Sequence, residues 1–221
     1  EELNIELEIE TIDKLIKYAE ELMAYNSHTN LTAIRDHKEL IEKHFIDSLI
    51  VHKELPIRKG KAIDIGTGAG FPGVPLKIMY PQLKVTLLDS LNKRLNFLNQ
   101  VIEKLGLENI ATVHYRAEDG ARKAELREQF DCVVSRAVAN MSTLCEYCLP
   151  YAKVGGCFVA YKSGNAEEEI DKAKKAVHLL GGVKENAIYF DLPDSDIGRS
   201  LVIVKKKEPT SKKYPRKAGL P

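Results

Sequence analysis

The sequence predicts an α/β protein: a seven-stranded, mostly parallel sheet with an antiparallel last strand, preceded by an N-terminal helical extension. Three observations carry this. From Lys61 onward, short apolar runs alternate with helical stripes, the signature of βα units whose parallel strands are covered on both faces. Before Lys61 the apolar residues follow helical spacing instead. The last two apolar runs are joined by a Pro, Asp and Gly loop without a helix, so they pair antiparallel.

Taken in order, Leu3, Ile5, Leu7 and Ile9 alternate briefly, and then Ile12, Leu15, Ile16, Ala19 and Leu22 recur at helical spacing. The segment from Tyr25 to Thr32 is rich in turn formers and reads as a polar loop that breaks the helical region. Leu40, Ile41, His44, Phe45, Ser48 and Leu49 form a second stripe, with Asp36 and Glu39 where a helix start favours negative charge. The expected strands are Ala62–Ile65, Val85–Asp89, Ala111–Tyr115, Phe130–Val134, Gly156–Tyr161, Ala187–Phe190 and Leu201–Val204. Helices are clearest at Asn92–Leu105 and Ala166–Leu180. This divides the chain into an N-terminal helical subdomain (residues 1–58), an α/β domain (59–207) and a basic tail (208–221).

A chain of 221 residues suits one large α/β domain with a small appendage. No apolar run approaches the roughly 18–20 residues that span a bilayer, and the acidic start lacks the layout of a secretory signal. Four scattered cysteines give no disulfide framework. The expectation is a cytoplasmic protein that needs neither membrane nor metal. The net charge of +1 is uneven: from Lys205 onward there are seven Lys or Arg and one acid, leaving residues 1–204 near −5. A basic tail on an acidic body suits a polyanionic partner or serves as a disordered solubilising tail.

The run Asp64-Ile65-Gly66-Thr67-Gly68-Ala69-Gly70 follows an expected strand and can open a helix. Glycines there let the backbone turn tightly and approach a ligand where a Cβ would collide. A dinucleotide fingerprint would place its third glycine at position 71, which is Phe71. S-adenosyl-L-methionine has no pyrophosphate to cradle, so a bulky residue is acceptable. Asp89 ends the second strand, 23 positions after Gly66, where a carboxylate can accept ribose hydroxyls. Ala117 and Glu118 follow the third strand, where an adenine edge is commonly held. Asp64, Gly66, Gly68, Phe71, Asp89, Ala117 and Glu118 are thus candidate cofactor residues. Together with the strand pattern, this is the layout of a class I S-adenosylmethionine-dependent methyltransferase, a Rossmann-like fold.

The chain resembles one family more closely. Asn30-Leu31-Thr32, His44-Phe45-Ile46-Asp47-Ser48-Leu49, the glycine motif extended by Phe71-Pro72-Gly73, Ser135-Arg136-Ala137 and the ending from Tyr214 are similar to ribosomal RNA small subunit methyltransferase G, also called the glucose-inhibited division protein B family. The resemblance runs through essentially the whole chain. It implies transfer of a methyl group to N7 of a guanine in a stem-loop of bacterial 16S rRNA, in naked rRNA or the small ribosomal subunit. It also implies that Gly66, Phe71, Ala117, Glu118 and Arg136 contact the cofactor.

Guanine N7 carries a free lone pair and loses no proton on methylation, so a general base is not obligatory, and no Ser-His-Asp or Cys-His constellation is evident. Alignment of the reacting atoms is the expected task. Arg136, after the fourth strand, can reach the cofactor carboxylate or guanine O6, and the family pattern favours the cofactor. Lys162 after the fifth strand, Arg199 at the start of the last and Asn30 in the N-terminal loop are candidate RNA contacts. Each also has a plain structural reading, as a solvated strand-end cation or a turn residue. Cys145-x-x-Cys148 lacks a second ligand pair and reads as core, and His44 as a packing histidine. A monomer is expected. The competing classes are a methyltransferase acting on a protein or small molecule, which needs no basic tail, and a non-catalytic RNA-binding or NAD-binding Rossmann-like module.

Overall fold

The computed structural model describes residues 7–29, 31–32, 36–53, 58–136, 139–192, 196–217 and 220. A long helix α1 (Ile9–Thr29) is followed by a helical stretch composed of α2 (His37–Leu40), a π-helical segment Ile41–Ile46, α3 (Asp47–Leu49) and a 3-10 turn Ile50–Lys53. The α/β region then runs β1 (Gly60–Ile65), α4 (Gly73–Met79), β2 (Leu83–Asp89), α5 (Asn92–Lys104), β3 (Ile110–His114), α6 (Ala117–Gly120) and β4 (Phe130–Ser135). It continues through α7 (Met141–Cys148), β5 (Ala152–Ser163), α8 (Glu167–Leu179), β6 (Gly182–Asp191) and β7 (Gly198–Lys206).

The seven strands form one sheet of order β3-β2-β1-β4-β5-β7-β6. β1 to β5 are parallel, and β7 is antiparallel to both β5 and β6. Every expected strand is present. The strand period of two divides the apolar residues between the two faces. Ala62, Val85, Leu87, Cys132, Val134, Val159 and Ile203 face one core with α1, α4 and α5, whereas Ile63, Leu88, Val133, Phe158 and Val202 face the other with α7 and α8. The order reverses at β1 and β4, and crevices at such a switch point are where open α/β sheets bind ligands.

The N-terminal helices share the first of these cores. Leu15, Tyr18, Ala19 and Leu22 are the buried stripe of α1, while Ile12 and Ile16 are exposed. The helix is therefore rotated from the orientation that the apolar residues suggest. The tyrosine decides this rotation: its ring packs against Phe45 and Phe71, and its hydroxyl donates to the Ala69 carbonyl at 2.5 Å. Burial raises the Tyr18 phenol well above its ordinary range, which keeps that donor proton in place. The expected break also lies later than the turn formers imply, because α1 runs through Thr29. Buried Asn26 lies inside the helix, and its amide exchanges two 3.0 Å hydrogen bonds with the backbone of Thr32, using the turn-forming side chain to hold the returning chain. Asp36 caps α2 as expected, accepting from the Glu39 amide. Asn30 lies outside the described residues.

The basic tail is docked along most of its described length. Lys206 is fully buried, and its ammonium donates to Leu149 O, Glu128 Oε1 and Thr210 Oγ1. Arg127 donates to the carbonyls of Thr210, Ser211 and Tyr214, and Arg216 forms a bidentate pair with Glu146. Lys207, Lys212, Lys213 and Lys217 remain exposed.

Gly70 is where the fold is least tolerant. Its φ is +108°, and a Cβ would lie 2.6 Å from Tyr18 Oη, 2.7 Å from Val74 and 2.8 Å from Leu98. Overpacking and left-handed strain together cost roughly 2–4 kcal/mol. Gly70→Ala should therefore lower Tm by about 5–10 °C for a chain of this size, measured by thermal unfolding.

Candidate functional site

The glycine turn is built by its neighbours. Gly66 and Thr67 donate their amides to Leu88 O, at 2.9 and 3.1 Å, which ties the end of β1 to the end of β2. Gly66 and Gly68 have φ of +71° and +61°, a region that side chains disfavour. Two carboxylates hold the turn from either side. Asp64 Oδ2 accepts the Thr67 hydroxyl (2.7 Å) and the Gly73 amide (2.9 Å), and Asp89 Oδ2 accepts the Gly68 amide (2.9 Å).

Above this turn, at the carboxyl ends of β1 to β4, lies a cavity of about 240 Å³. Gly66, Asp89, Tyr115, Ala117 and Glu118 line it, and Tyr147 of α7 closes the far wall. The Ser135 hydroxyl donates to Ile65 O at 2.7 Å and clamps β4 to β1 on its floor. Ala117 is set by Tyr151, whose hydroxyl donates to its carbonyl. No atom lies within 4 Å of where a Gly66 Cβ would stand, so this wall of the cavity is bare backbone. Asp89 also accepts the Leu91 amide at 2.9 Å and pairs with Arg94 at 3.2 Å. Arg94 is thus the partner that a ligand at Asp89 would meet.

The sequence candidates fall into three groups. Gly66, Asp89, Ala117 and Glu118 come together in the cavity, and Asp64 and Gly68 lie beneath it in the turn. Phe71 and Arg136 stand in an adjoining cluster: Phe71 is buried, stacks on His44 at 4.5 Å and carries the Arg136 guanidinium over its ring at 5.1 Å. Lys162 lies at the carboxyl end of β5, but it is paired with Glu169 at 2.8 Å and donates to Ala139 O, so it is not a free strand-end cation. Arg199 lies opposite Ser163 in the β5–β7 pairing. Cys145 and Cys148 are buried in α7, as core cysteines should be, and burial pushes the Cys145 thiol up to about 12.

The sequence candidates omit Asp47. It joins Arg136 (3.0 Å) to Arg199 (3.1 Å) while only 2% exposed. An acid inside the apolar stripe of Phe45 and Leu49 was the available signal. His44 completes the cluster, its Nδ1 accepting from Arg136 Nη2 at 2.9 Å and its Nε2 meeting Thr32 Oγ1 at 3.1 Å. Burial, then the charge of Arg136, pushes the imidazole down to about 3, so it is neutral and suited to accept from an arginine. Among the described residues, no group of three or more His, Cys, Asp or Glu could hold a metal ion, and no helix is long and apolar enough to cross a membrane.

A switch-point cavity with a glycine wall and an acid closing the neighbouring strand, on a sheet of this order, defines a protein of the class I methyltransferase fold. Among solved structures, M. jannaschii TYW2 in complex with AdoMet superimposes with a TM-score of 0.54 at 16% identity, covering 66% of this chain and 68% of that one. The family model described as GidB, rRNA small subunit methyltransferase G, matches residues 11–197. Proteins named ribosomal RNA small subunit methyltransferase G from Lachnoclostridium phytofermentans and Acetivibrio thermocellus are 51% and 52% identical over 220 residues. Those alignments cover 99% and 98% of this chain and 91% and 89% of the relatives. The chain belongs to the GidB family of rRNA small subunit methyltransferases.

Asp64 gives the site a measurable pH signature. Burial, partly offset by Thr67 and Gly73, raises its carboxyl to about 6, and Oδ1 has no hydrogen-bond partner. The folded state therefore holds a proton that the unfolded chain has released. This favours folding fully below the ordinary value of 3.8 and is lost as pH rises through about 6. Asp64→Asn should gain stability relative to the parent between pH 4 and pH 7, by about 2–3 kcal/mol in urea unfolding. A constant difference across that range would show that Asp64 does not titrate there.

Proposed function

We propose that this protein methylates guanine N7 in a stem-loop of bacterial 16S rRNA, using S-adenosyl-L-methionine bound in the cavity at the glycine turn. The observation that carries the reading is the cavity itself: in a chain of this family it gathers Gly66, Asp89, Ala117 and Glu118 around open space at the carboxyl edge of β1 to β4.

The residues present fit the cofactor. The open Cβ position of Gly66 lets an adenosyl group lie against backbone. Asp89 is an acceptor for the ribose hydroxyls, exchanging its contact with Arg94 for them, and Glu118 is an acceptor for the adenine edge. The adenine edge lies toward Ala117. The unpartnered Oδ1 of Asp64 supplies a buried negative acceptor at the amino-acid end. Bound there, the cofactor supplies an electrophilic methyl group on a sulfonium. Phe71 and Arg136 are assigned to the boundary between cofactor and base, with the guanidinium held flat over the ring. Because N7 has a free lone pair, the chain need only orient the guanine and exclude water.

Lys162, Arg199 and Asn30 are assigned to the RNA side, with Lys162 giving up its pair with Glu169 when a phosphate takes it. The exposed Lys207, Lys212, Lys213 and Lys217 add long-range attraction for a polyanion. A monomer acting in the cytoplasm completes the reading.

Labelled cofactor incubated with naked 16S rRNA and with assembled small subunits should yield labelled 7-methylguanosine at one position in at least one of them. Label on protein, or on no macromolecule, would remove RNA as the substrate. Gly66→Ala should bind S-adenosylhomocysteine at least about tenfold more weakly by calorimetry, since its Cβ takes the space of the adenosyl group. Parent-like affinity would put the cofactor elsewhere.

A further inference from the structure

Asp47 lines neither the cavity nor the glycine turn. It stands in α3, which the N-terminal helices bring to the carboxyl edge of the sheet. Oδ2 accepts from Arg136 Nη1, just beyond β4, and Oδ1 accepts from Arg199 Nε in β7. Both arginine side chains are 19% exposed and that of Asp47 2%. With His44 neutral, the cluster holds two cations and one anion, a net charge of +1.

As a mere fastening of the helices to the sheet, this is a poor device. Burying three charged groups costs desolvation that apolar side chains would avoid, and such pairs are often replaced without loss of stability. The helices are already fastened by Tyr18, Phe45 and Phe71. What the cluster does contribute is a defined field beside Ser135, which lies on the cavity floor next to Arg136.

We propose that Asp47 is a positioning residue for methyl transfer: it aims Arg136 and Arg199 at the RNA while cancelling one of their two charges, so that the guanine can become cationic beside them. This rests on the N7 reading above. In that step the N7 lone pair forms the new N–C bond as the C–S bond of the sulfonium donor breaks, its electron pair leaving on sulfur. No proton moves, and the positive charge passes from sulfur to the purine, toward the arginines. Two uncompensated guanidiniums would oppose that movement, and fixed charges act strongly in a site that excludes water. The same two charges would help bind the polyanionic substrate. Loss of Asp47 should therefore move turnover and RNA binding in opposite directions, which a structural defect does not do.

The test compares the full chain with Asp47→Asn and with the double variant Asp47→Asn/Arg199→Gln, which restores the parent's net charge. It measures kcat and KM for RNA, the RNA affinity and its salt dependence without cofactor, and Tm. In Asp47→Asn, kcat should fall about tenfold or more while RNA affinity stays equal or rises. The double variant should return kcat to within about threefold of the parent, with KM for RNA raised. An unchanged kcat in Asp47→Asn, or a joint loss of kcat and RNA affinity that the double variant does not relieve, overturns the proposal. Should the single variant not fold, the double variant decides alone, since removing both members of an ion pair leaves one fewer stranded charge. A kcat within about threefold of the parent's together with a raised KM for RNA then supports the proposal, and an unchanged KM or a kcat loss of about tenfold or more overturns it. A parent that leaves guanine N7 unmethylated overturns the N7 reading, and this role with it. A parent that methylates N7 while Asp47→Asn keeps its kcat overturns only the role of Asp47.

Discussion

Two buried carboxylates grip the glycine turn, and the rest of the site is arranged around that grip. Asp64 holds the turn to the start of α4 through Thr67 and Gly73, and Asp89 holds it to the end of β2 through Gly68. Buried backbone amides must be paired, and here side chains satisfy those that the sheet cannot. The grip also fixes the space around it. A Cβ at Gly73 would lie 2.9 Å from Asp64 Oδ2 and 2.4 Å from Leu87, so the helix approaches the strand as closely as it does only because position 73 is bare.

The same turn seats the N-terminal helices. Ala69 presents its carbonyl to Tyr18, and Phe71, at the far end of the turn, offers a ring to Tyr18, Phe45 and His44. Once α1 is held there, the following helical stretch can bring His44 and Asp47 against Arg136. A π-helical segment spans Ile41–Ile46, a form frequent at functional sites. Phe71 thus acts on both sides: one edge completes a core and one face supports a guanidinium.

The fold was legible in the sequence because parallel strands buried on both faces leave an unmistakable alternation with helices, and the seven strands stand where those runs lie. The cavity was legible for a similar reason, since Gly66, Asp89, Ala117 and Glu118 are each tied to the end of a strand, and strand ends can be counted. The rotation of α1 was not, because an amphipathic pattern cannot tell that a tyrosine hydroxyl has an acceptor 51 positions away. Asp47 was hidden in the same way: its partners lie 89 and 152 residues distant, and only the assembled sheet brings them to one carboxylate. Local pattern reveals which element a residue belongs to, whereas pairing across the fold decides what a buried charge is for.

A polyanionic substrate and a cationic product place opposite demands on the charge of such a site. Attraction at long range needs uncompensated lysines in solvent, where they can displace counterions. Methylation at N7 needs restraint close to the base, where low dielectric magnifies each charge. On the proposed reading, different residues meet the two demands. Its exposed Lys207, Lys212, Lys213 and Lys217 ride on a strap that Arg127, Lys206 and Arg216 fasten to the body, while the arginines at the sheet edge share a buried acid. Docking the tail therefore does more than order it: on the proposed reading its exposed cations supply the attraction for RNA, while the charge of the sheet-edge cluster is set by the balance among Asp47, Arg136 and Arg199.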